Sequence, residues 1–460
     1  MLSGRAHRGL VSRTRQWDSR IGASRMDQSR RKRHVGRWLL AAAVVLACVA
    51  FAIMWRPAIA PTSVLPSFDQ ARIDRGANLA RLGMCASCHT PDLAKPFAGG
   101  KPMETPFGTV HSTNITPDNE TGIGRWSPDA FARAMRKGVS RDGHLLYPAF
   151  PYNHYTRMTQ ADIDDLYAYF MTRPAIHAPA RHNHMTFPFG LRPLVAFWNV
   201  LYLDDSAWQP DPRQSAEWNR GAYLADAVAH CAACHTPRTM LGGPDLSRPL
   251  DGGEAEDWYA PALNARSPSP LPWTREQLHT YLRTGIAEDH AAAGGPMQDV
   301  VMLLSQSDQR DVAALSAWAH SHLAQAPAQV QGKSTPEQQP GSLPAPKTDD
   351  PDLQRMQAGY ALYANSCARC HDAGRGVGSG AALPLQKAVA LYDPDPRSLI
   401  HLVDEGIAPP DGEPGRWMPG YRTILTDEQT GALAAYLRKY GAGQPAWADL
   451  DAAVRKARAP

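Results

Sequence analysis

The chain is 460 residues long and carries 48 Lys+Arg against 44 Asp+Glu, a net charge of +4; at about 150 residues per domain, that length allows some three domains. Eleven of the basic residues, from Arg5 to Arg37, crowd into the first 37 positions against only Asp18 and Asp27, so the remainder is net negative and no nucleic-acid-binding face is expected. There is no phosphate-cradling glycine loop and no G-x-S-x-G elbow, which removes nucleotide-dependent and serine-hydrolase chemistry.

In chain order, residues 1–37 read as a basic cytoplasmic leader. Trp38 to Trp55 follow as an uncharged run of eighteen residues between Arg37 and Arg56, and at 1.5 Å per residue they would measure about 27 Å, just enough for a bilayer core. A transmembrane anchor over 38–55 is therefore expected, with a cleaved signal ending at Ala58-Ile59-Ala60 as the rival reading; Pro61 disfavours cleavage. Everything after residue 56 would then lie outside the cytoplasm. Cys48, inside the run, is a thiol without a role.

A helical module over 70–178 comes next. It opens with RGANLARLGMCASCH (75–89), continues with SPDAFARAMRKG (127–138) and closes with TQADIDDLYAYF (159–170). Ser127 is a plausible N-cap and Gly138 a plausible C-cap, while Leu166 and Tyr169 share one helix face. Residues 179–213 connect it onward, but FPFGLRPLVAFWNVLYL (187–203) is too apolar for a free linker. This segment is expected either to pack between modules or to dock a partner subunit or the membrane. His177, His182 and His184 read as solvated loop histidines rather than a metal site.

The module then repeats. Over 214–325 the corresponding stretches are RGAYLADAVAHCAACH (220–235), TREQLHTYLRTG (274–285) and SDQRDVAALSAWA (307–319). A Pro/Gln/Ser-rich linker over 326–351 leads to the third copy, 352–445, with AGYALYANSCARCH (358–371), DPRSLIHLVDEG (395–406) and TDEQTGALAAYLRKY (426–440). Each opening helix holds a glycine, Gly76, Gly221 or Gly359. Glycine costs stability in a helix, so close approach of the closing helix is expected, through the faces of Leu166/Tyr169, Leu315/Trp318 and Leu433/Tyr436.

Six of the seven cysteines form three C-x-x-C-H motifs: Cys85/Cys88 with His89, Cys231/Cys234 with His235, and Cys367/Cys370 with His371. Two thiols three residues apart on one turn reach the two vinyl groups of a haem, and the adjacent histidine lies under its iron. One such motif alone is compatible with a redox dithiol or half a zinc site; three copies at one place in a repeat point to three haem c groups. Met297 and Met418 each fall twelve residues after the glycine that closes the second helix, Gly285 and Gly406, in Gly/Pro-rich loops, and are the expected distal ligands. The same count from Gly138 lands on Phe150, which cannot bind iron. His154 is the best substitute, ahead of Met158, His144 or an open iron. The expected fold class is thus all-α, an N-terminal transmembrane anchor followed by three small cytochrome c domains.

These motifs, together with HSTNITPDNETGIGRWS (111–127), WNRGAYLADAVAHCAACHTPR (218–238) and GGPMQDVV (294–301), resemble the three-haem cytochrome c subunits of membrane-bound bacterial alcohol, gluconate, sorbitol and aldehyde dehydrogenase complexes. The resemblance spans about residues 70–445. It implies an electron-transfer subunit without substrate chemistry of its own, at the periplasmic side of the cell inner membrane. Such a subunit receives electrons from a catalytic dehydrogenase subunit and passes them to ubiquinone or a terminal oxidase, and the resemblance implies Met297 and Met418 as distal ligands. YPAFPYNHY (147–155) is closer to cytochromes paired with molybdenum hydroxylases, where oxidation of aldehydes or N-heterocycles supplies the electrons. The rival functions are a haem peroxidase-like enzyme and a cytochrome subunit of a terminal oxidase.

Overall fold

In the computed structural model, residues 37–45, 48–49, 51–63, 66–287, 289–324, 342–372, 382–408 and 417–459 are described. The chain forms two units, Met1–Pro57 and Ala58–Pro460. In the first unit, residues 37–45, 48–49 and 51–54 are helical. Among the described residues no helix is long and apolar enough to cross a membrane, so the expected transmembrane anchor over 38–55 is not supported. Cys48 is exposed.

The second unit holds the three repeats, and in each the opening and closing helices cross at the glycine. Gln70–Leu82 lies on Gln160–Met171, Ala216–Tyr223 on Gln309–Leu323, and Leu353–Leu362 on Asp427–Tyr436. A Cβ at Gly76 would stand 2.0 Å from the Asp165 carbonyl oxygen, at Gly221 2.0 Å from that of Ala314, and at Gly359 2.2 Å from that of Ala432. Tyr169, Trp318 and Tyr436 supply the neighbouring Cβ atoms, so the Leu-x-x-aromatic faces meet the glycines as their spacing implied. The helices begin where short polar side chains can satisfy unpaired N–H groups. Ser127, Thr159 and Ser215 cap in this way, and Thr274 with Gln277 and Thr426 with Gln429 form full capping boxes.

An all-α fold is corrected by short antiparallel sheets, two of them built on hairpins between the cysteine motif and the second helix. Pro102–Thr105, Gly108–His111 and His184–Met185 form a three-stranded antiparallel sheet, and Gly253–Ala255 pairs with Trp258–Ala260. The second hairpin turns on Glu256 and Asp257, both with positive φ (47° and 64°), which is the geometry of a tight hairpin turn without its usual Asn-Gly signature. A third two-stranded pair, Ile286–Ala287 with Ala291–Ala292, follows Gly285.

The first two repeats bury their apolar faces in one shared cluster that includes Leu82, Met158, Ile163, Leu224 and Leu315, whereas the third has its own around Leu391, Ile400 and Tyr436. Most of the expected linker over 326–351, its residues 326–341, lies outside the described residues. The stretch after it packs on the third repeat: Leu343 is buried, and the Tyr436 hydroxyl donates to the Pro344 carbonyl (2.9 Å).

Asp350 pins this stretch to the end of the closing helix through Lys439 (2.7 Å) and the Tyr440 hydroxyl (2.5 Å). Hydrogen bonds from Lys439 and Tyr440 hold its carboxyl down at about 2, below its usual 3.8. A depressed folded value means stability that is present above pH 3.8 and lost as pH falls toward 2. The expected result is that Asp350→Asn melts lower than the wild type at pH 6, with the gap closing between pH 3.8 and 2. A gap that stays constant with pH would rule this out.

Candidate functional site

Cys85 to His89 form a single helical turn, entered through Met84 in a left-handed conformation (φ 52°). Cys231 with Ala232–His235, and Cys367 with Ala368–His371, build the corresponding turns. Each motif therefore places two thiols and an imidazole on one turn, and none of the six cysteines is disulfide-bonded.

The three histidines share one hydrogen-bond pattern. Nδ1 of His89 meets the Thr113 carbonyl (2.6 Å), that of His235 the Pro261 carbonyl (2.7 Å) and that of His371 the Leu383 carbonyl (2.9 Å). A carbonyl can only accept, so Nδ1 carries the proton and Nε2 keeps its lone pair, as metal-ligating histidines are usually arranged. Burial lowers the affinity of all three rings for a second proton, which preserves the neutral, ligating form.

The acceptor loops are built for this contact. HSTNITPD, singled out in the sequence, is a turn in which Asn114 accepts from the backbone N–H and hydroxyl of Thr116 and donates to Thr121 and Ile176 (2.7–3.0 Å). That fixes Thr113 just before it. Gly99 (φ 73°) passes so close that a Cβ would sit 2.4 Å from the Thr113 carbonyl, and its N–H donates to the His89 carbonyl (2.9 Å). Gly252 (φ 86°) repeats that last bond at His235 (2.9 Å).

Five of the six thiols are the reverse of reactive. Burial pushes Cys85 and Cys231 up to about 12 and Cys367 up to about 11, and it raises Cys88 and Cys234 as well, whereas a redox dithiol needs a lowered value. Cys370, expected as a haem-bonded thiol like the rest, departs from them: it is exposed, while the other five are partly enclosed. After Cys88 and Cys234 come the hairpins of Pro102–His111 and Gly253–Ala260, and Lys101 and Glu256 beside them stand close enough to act on Cys88, Glu256 also on Cys234. Cys370 keeps its place on the turn beside His371.

Among the described residues no group of three or more His, Cys, Asp or Glu could hold a metal ion, and His182 and His184 are exposed. The sites thus fit haem c, with two thiols for thioethers and one oriented imidazole nitrogen, better than zinc or dithiol chemistry.

The expected distal residues fall in dissimilar backbones. Met297 lies in the first turn of helix Pro296–Ser305, after Gly294 and Gly295, where Cβ atoms would collide with the Trp258 indole (2.8 and 2.2 Å). Met418 instead pairs with Ile407 in an antiparallel bridge. The counterparts of that bridge are Val139↔Leu145 and Ile286↔Ala292, so the twelve-residue spacing is shared in sequence but not in backbone role. Phe150 packs its ring near Tyr155 (centroids 5.5 Å).

His154 sits in helix Tyr152–Tyr155, buried, with Nδ1 on the Asp226 carbonyl (3.0 Å). This is the arrangement of the three motif histidines. Of its rivals, Met158 is sealed in the shared core, and His144 is exposed and paired with Asp142 (2.5 Å).

The sites adjoin. Lys101 of the first hairpin pairs with Glu256 of the second (2.9 Å), and Cys88 lies near enough to Cys234 to influence its ionisation. His154 and Tyr155 approach His230, the residue before Cys231 (centroids 6.2 and 5.6 Å). Between the second and third repeats, Trp258 stacks on His401 (4.9 Å), Arg397 reaches Glu254 and Asp257 (3.0 and 3.2 Å), and Gln298, next to Met297, donates to the Ala408 carbonyl (2.8 Å).

Repeated helical modules of this build, with oriented imidazoles beside paired thiols, define a c-type cytochrome. Residues 354–437 match the family model of cytochrome c oxidase, cbb3-type, subunit III. Over far more of its length the chain is similar to dehydrogenase subunits. It is 33% identical to the fructose dehydrogenase cytochrome subunit of Gluconobacter japonicus, over 87% of this chain and 85% of that one. It is 36% identical to the gluconate 2-dehydrogenase cytochrome c subunit of Pantoea cypripedii, over 80% and 86%. Identity reaches 41% with a nicotinate dehydrogenase subunit of Pseudomonas putida, over 90% of this chain, which spans about a third (34%) of that protein. The chain belongs to the family of cytochrome c subunits of dehydrogenases, whose haem c serves electron transfer. The oxidase likeness is confined to the third repeat, so a terminal-oxidase role is not favoured.

Proposed function

We propose that the chain binds three haem c groups and passes electrons from a catalytic dehydrogenase subunit to ubiquinone or a terminal oxidase, at the periplasmic face of the cell inner membrane. Cys85/Cys88, Cys231/Cys234 and Cys367/Cys370 form the thioethers, and His89, His235 and His371 are the proximal ligands. Met297, Met418 and His154 are the distal ones. The observation that carries this reading is the threefold recurrence of Nδ1 fixed on a backbone carbonyl beside a pair of thiols on the same turn. Haem supplies reversible one-electron transfer; the protein orients each imidazole, keeps it neutral and sets the sites side by side. A thioether opposite imidazole raises the potential, so the first site, with two imidazoles, is the low-potential entry. The likeness to the nicotinate dehydrogenase protein and the YPAFPYNHY segment support a donor that oxidises aldehydes or N-heterocycles.

Covalent haem counted by mass spectrometry of the denatured holoprotein tests this. Three haems are expected in the wild type and two in each of the double variants Cys85→Ala/Cys88→Ala, Cys231→Ala/Cys234→Ala and Cys367→Ala/Cys370→Ala. A wild-type count of two would sink the assignment of the motif that, when replaced, leaves the count unchanged.

A further inference from the structure

Among the described residues of the Ala58–Pro460 unit, the large apolar side chains left exposed fall mostly in the connecting segment and the loop beside it. Phe187 (87% exposed), Leu191, Phe197, Val200 (67%) and Leu201 of the connecting segment lie there, with Met240 (96%) in the loop that holds it. This is not a loose loop. Helix Val195–Tyr202 buries Val195 and Ala196, and Asn199 accepts from the Tyr152 hydroxyl (2.6 Å). Trp198 donates to the Leu241 carbonyl (3.2 Å), and Tyr202 bonds Thr239 (2.8 Å). These anchored contacts hold an outward apolar face in place.

The segment itself carries charge of one sign. Residues 166–203 contain no Asp or Glu but carry Arg173, Arg181 and Arg192. Among the described residues no ion pair involves Arg181, Arg192 or Arg238, while the acids that follow the helix are spent: Asp204 pairs with Arg157 (3.0 Å) and Asp205 with Lys137 (3.6 Å). Exposed apolar patches of this kind mark interaction sites. A protein partner would be matched by a rim of both signs. Aliphatic and aromatic side chains beside Arg192 and Arg238, which bond backbone carbonyls and no carboxylate, on a helix with Trp and Tyr, are instead the composition of a helix lying in a lipid interface.

We propose that this surface rests on an anionic bilayer, with the helix Val195–Tyr202 in the plane of the headgroups. Phosphates meet the arginines, and Phe197, Val200 and Leu201 enter the acyl boundary. Eight residues measure about 12 Å, so the helix lies on the membrane and does not cross it. Trp198 packs on Tyr152 (6.1 Å), two residues from His154, so the contact would bring the first site to the membrane. The inference rests on the membrane-side acceptor for its purpose but not for its test, which reads lipid contact and leaves the haem count untouched.

The test is the alkylation rate of Val200→Cys in full-length holoprotein carrying Cys48→Ser, using a charged maleimide, with Leu201→Cys as a second variant and Glu428→Cys as the remote control. Vesicles of phosphatidylethanolamine and phosphatidylglycerol should slow labelling at 200 and 201 at least tenfold and leave position 428 unchanged; vesicles of phosphatidylcholine alone should slow it less. Equal rates with and without anionic vesicles would overturn the proposal. So would protection already complete in solution, or protection that arises only when the catalytic subunit is added.

Discussion

Gly221→Val is expected to unfold the first two repeats together. The glycine lets the opening helix of the second repeat press on the carbonyl of Ala314, 2.0 Å from where a Cβ would stand and 3.0 Å from the Trp318 Cβ. Backbone cannot give way as a flexible side chain can, so the helices must part. Overpacking typically costs about 1–3 kcal/mol; with backbone as the obstacle and a β-branched side chain added, the expected loss is about 3 kcal/mol or more. Because Tyr223, Leu224 and Leu315 belong to the same cluster as Leu79 and Leu166, the damage should cross the repeat boundary, while the third repeat keeps its own core. Gly190→Ala is the control: its nearest neighbour would be 3.8 Å away, and its melting temperature should stay within a degree or two of wild type. Separate melting of repeats one and two in the Gly221 variant would contradict the shared core.

The second large effect is expected at His154. Its Nδ1 is tied to the Asp226 carbonyl, on a helical turn of the second repeat that Arg157 also grips through the Asp226 carboxylate (2.5 Å). Low-temperature electron paramagnetic resonance of the oxidised protein should show one bis-imidazole and two His/Met low-spin signals. In His154→Ala the bis-imidazole signal should vanish. In His154→Met the first haem should rise in potential by on the order of 100 mV, a modest part of the ~0.8 V that axial ligands span. Three His/Met signals in the wild type would exclude His154 and reopen Met158, despite its burial in the core. A high-spin signal in the wild type would reopen the peroxidase-like reading.

Much of this was legible in the sequence, for reasons that particular residues make plain. Caps such as Thr274 with Gln277 act within one turn, so spacing alone reveals them, and the glycines announced a close crossing because nothing else justifies glycine in a helix. The C-x-x-C-H turns are equally local. What stayed hidden is non-local or has no side-chain signature. Thr113, Pro261 and Leu383 orient the histidines through backbone carbonyls, which any residue carries. The Glu256-Asp257 turn lacks glycine and concealed its hairpin. Met297 and Met418 share a count from a glycine, yet one begins a helix and the other pairs in a bridge, because counting residues does not count the shape of the loop between. The run from Trp38 to Trp55 has the composition of a membrane span, yet among the described residues no helix is long and apolar enough to cross a membrane.

In the proposed function one chain carries three electrons at three adjacent haems, the first of them lowest in potential. The decisive measurement is an equilibrium redox titration of the full-length holoprotein, followed at the haem absorbance and by electron paramagnetic resonance. Three one-electron steps are expected, the lowest belonging to the bis-imidazole signal. Two steps, or a lowest step that belongs to a His/Met signal, would contradict the account.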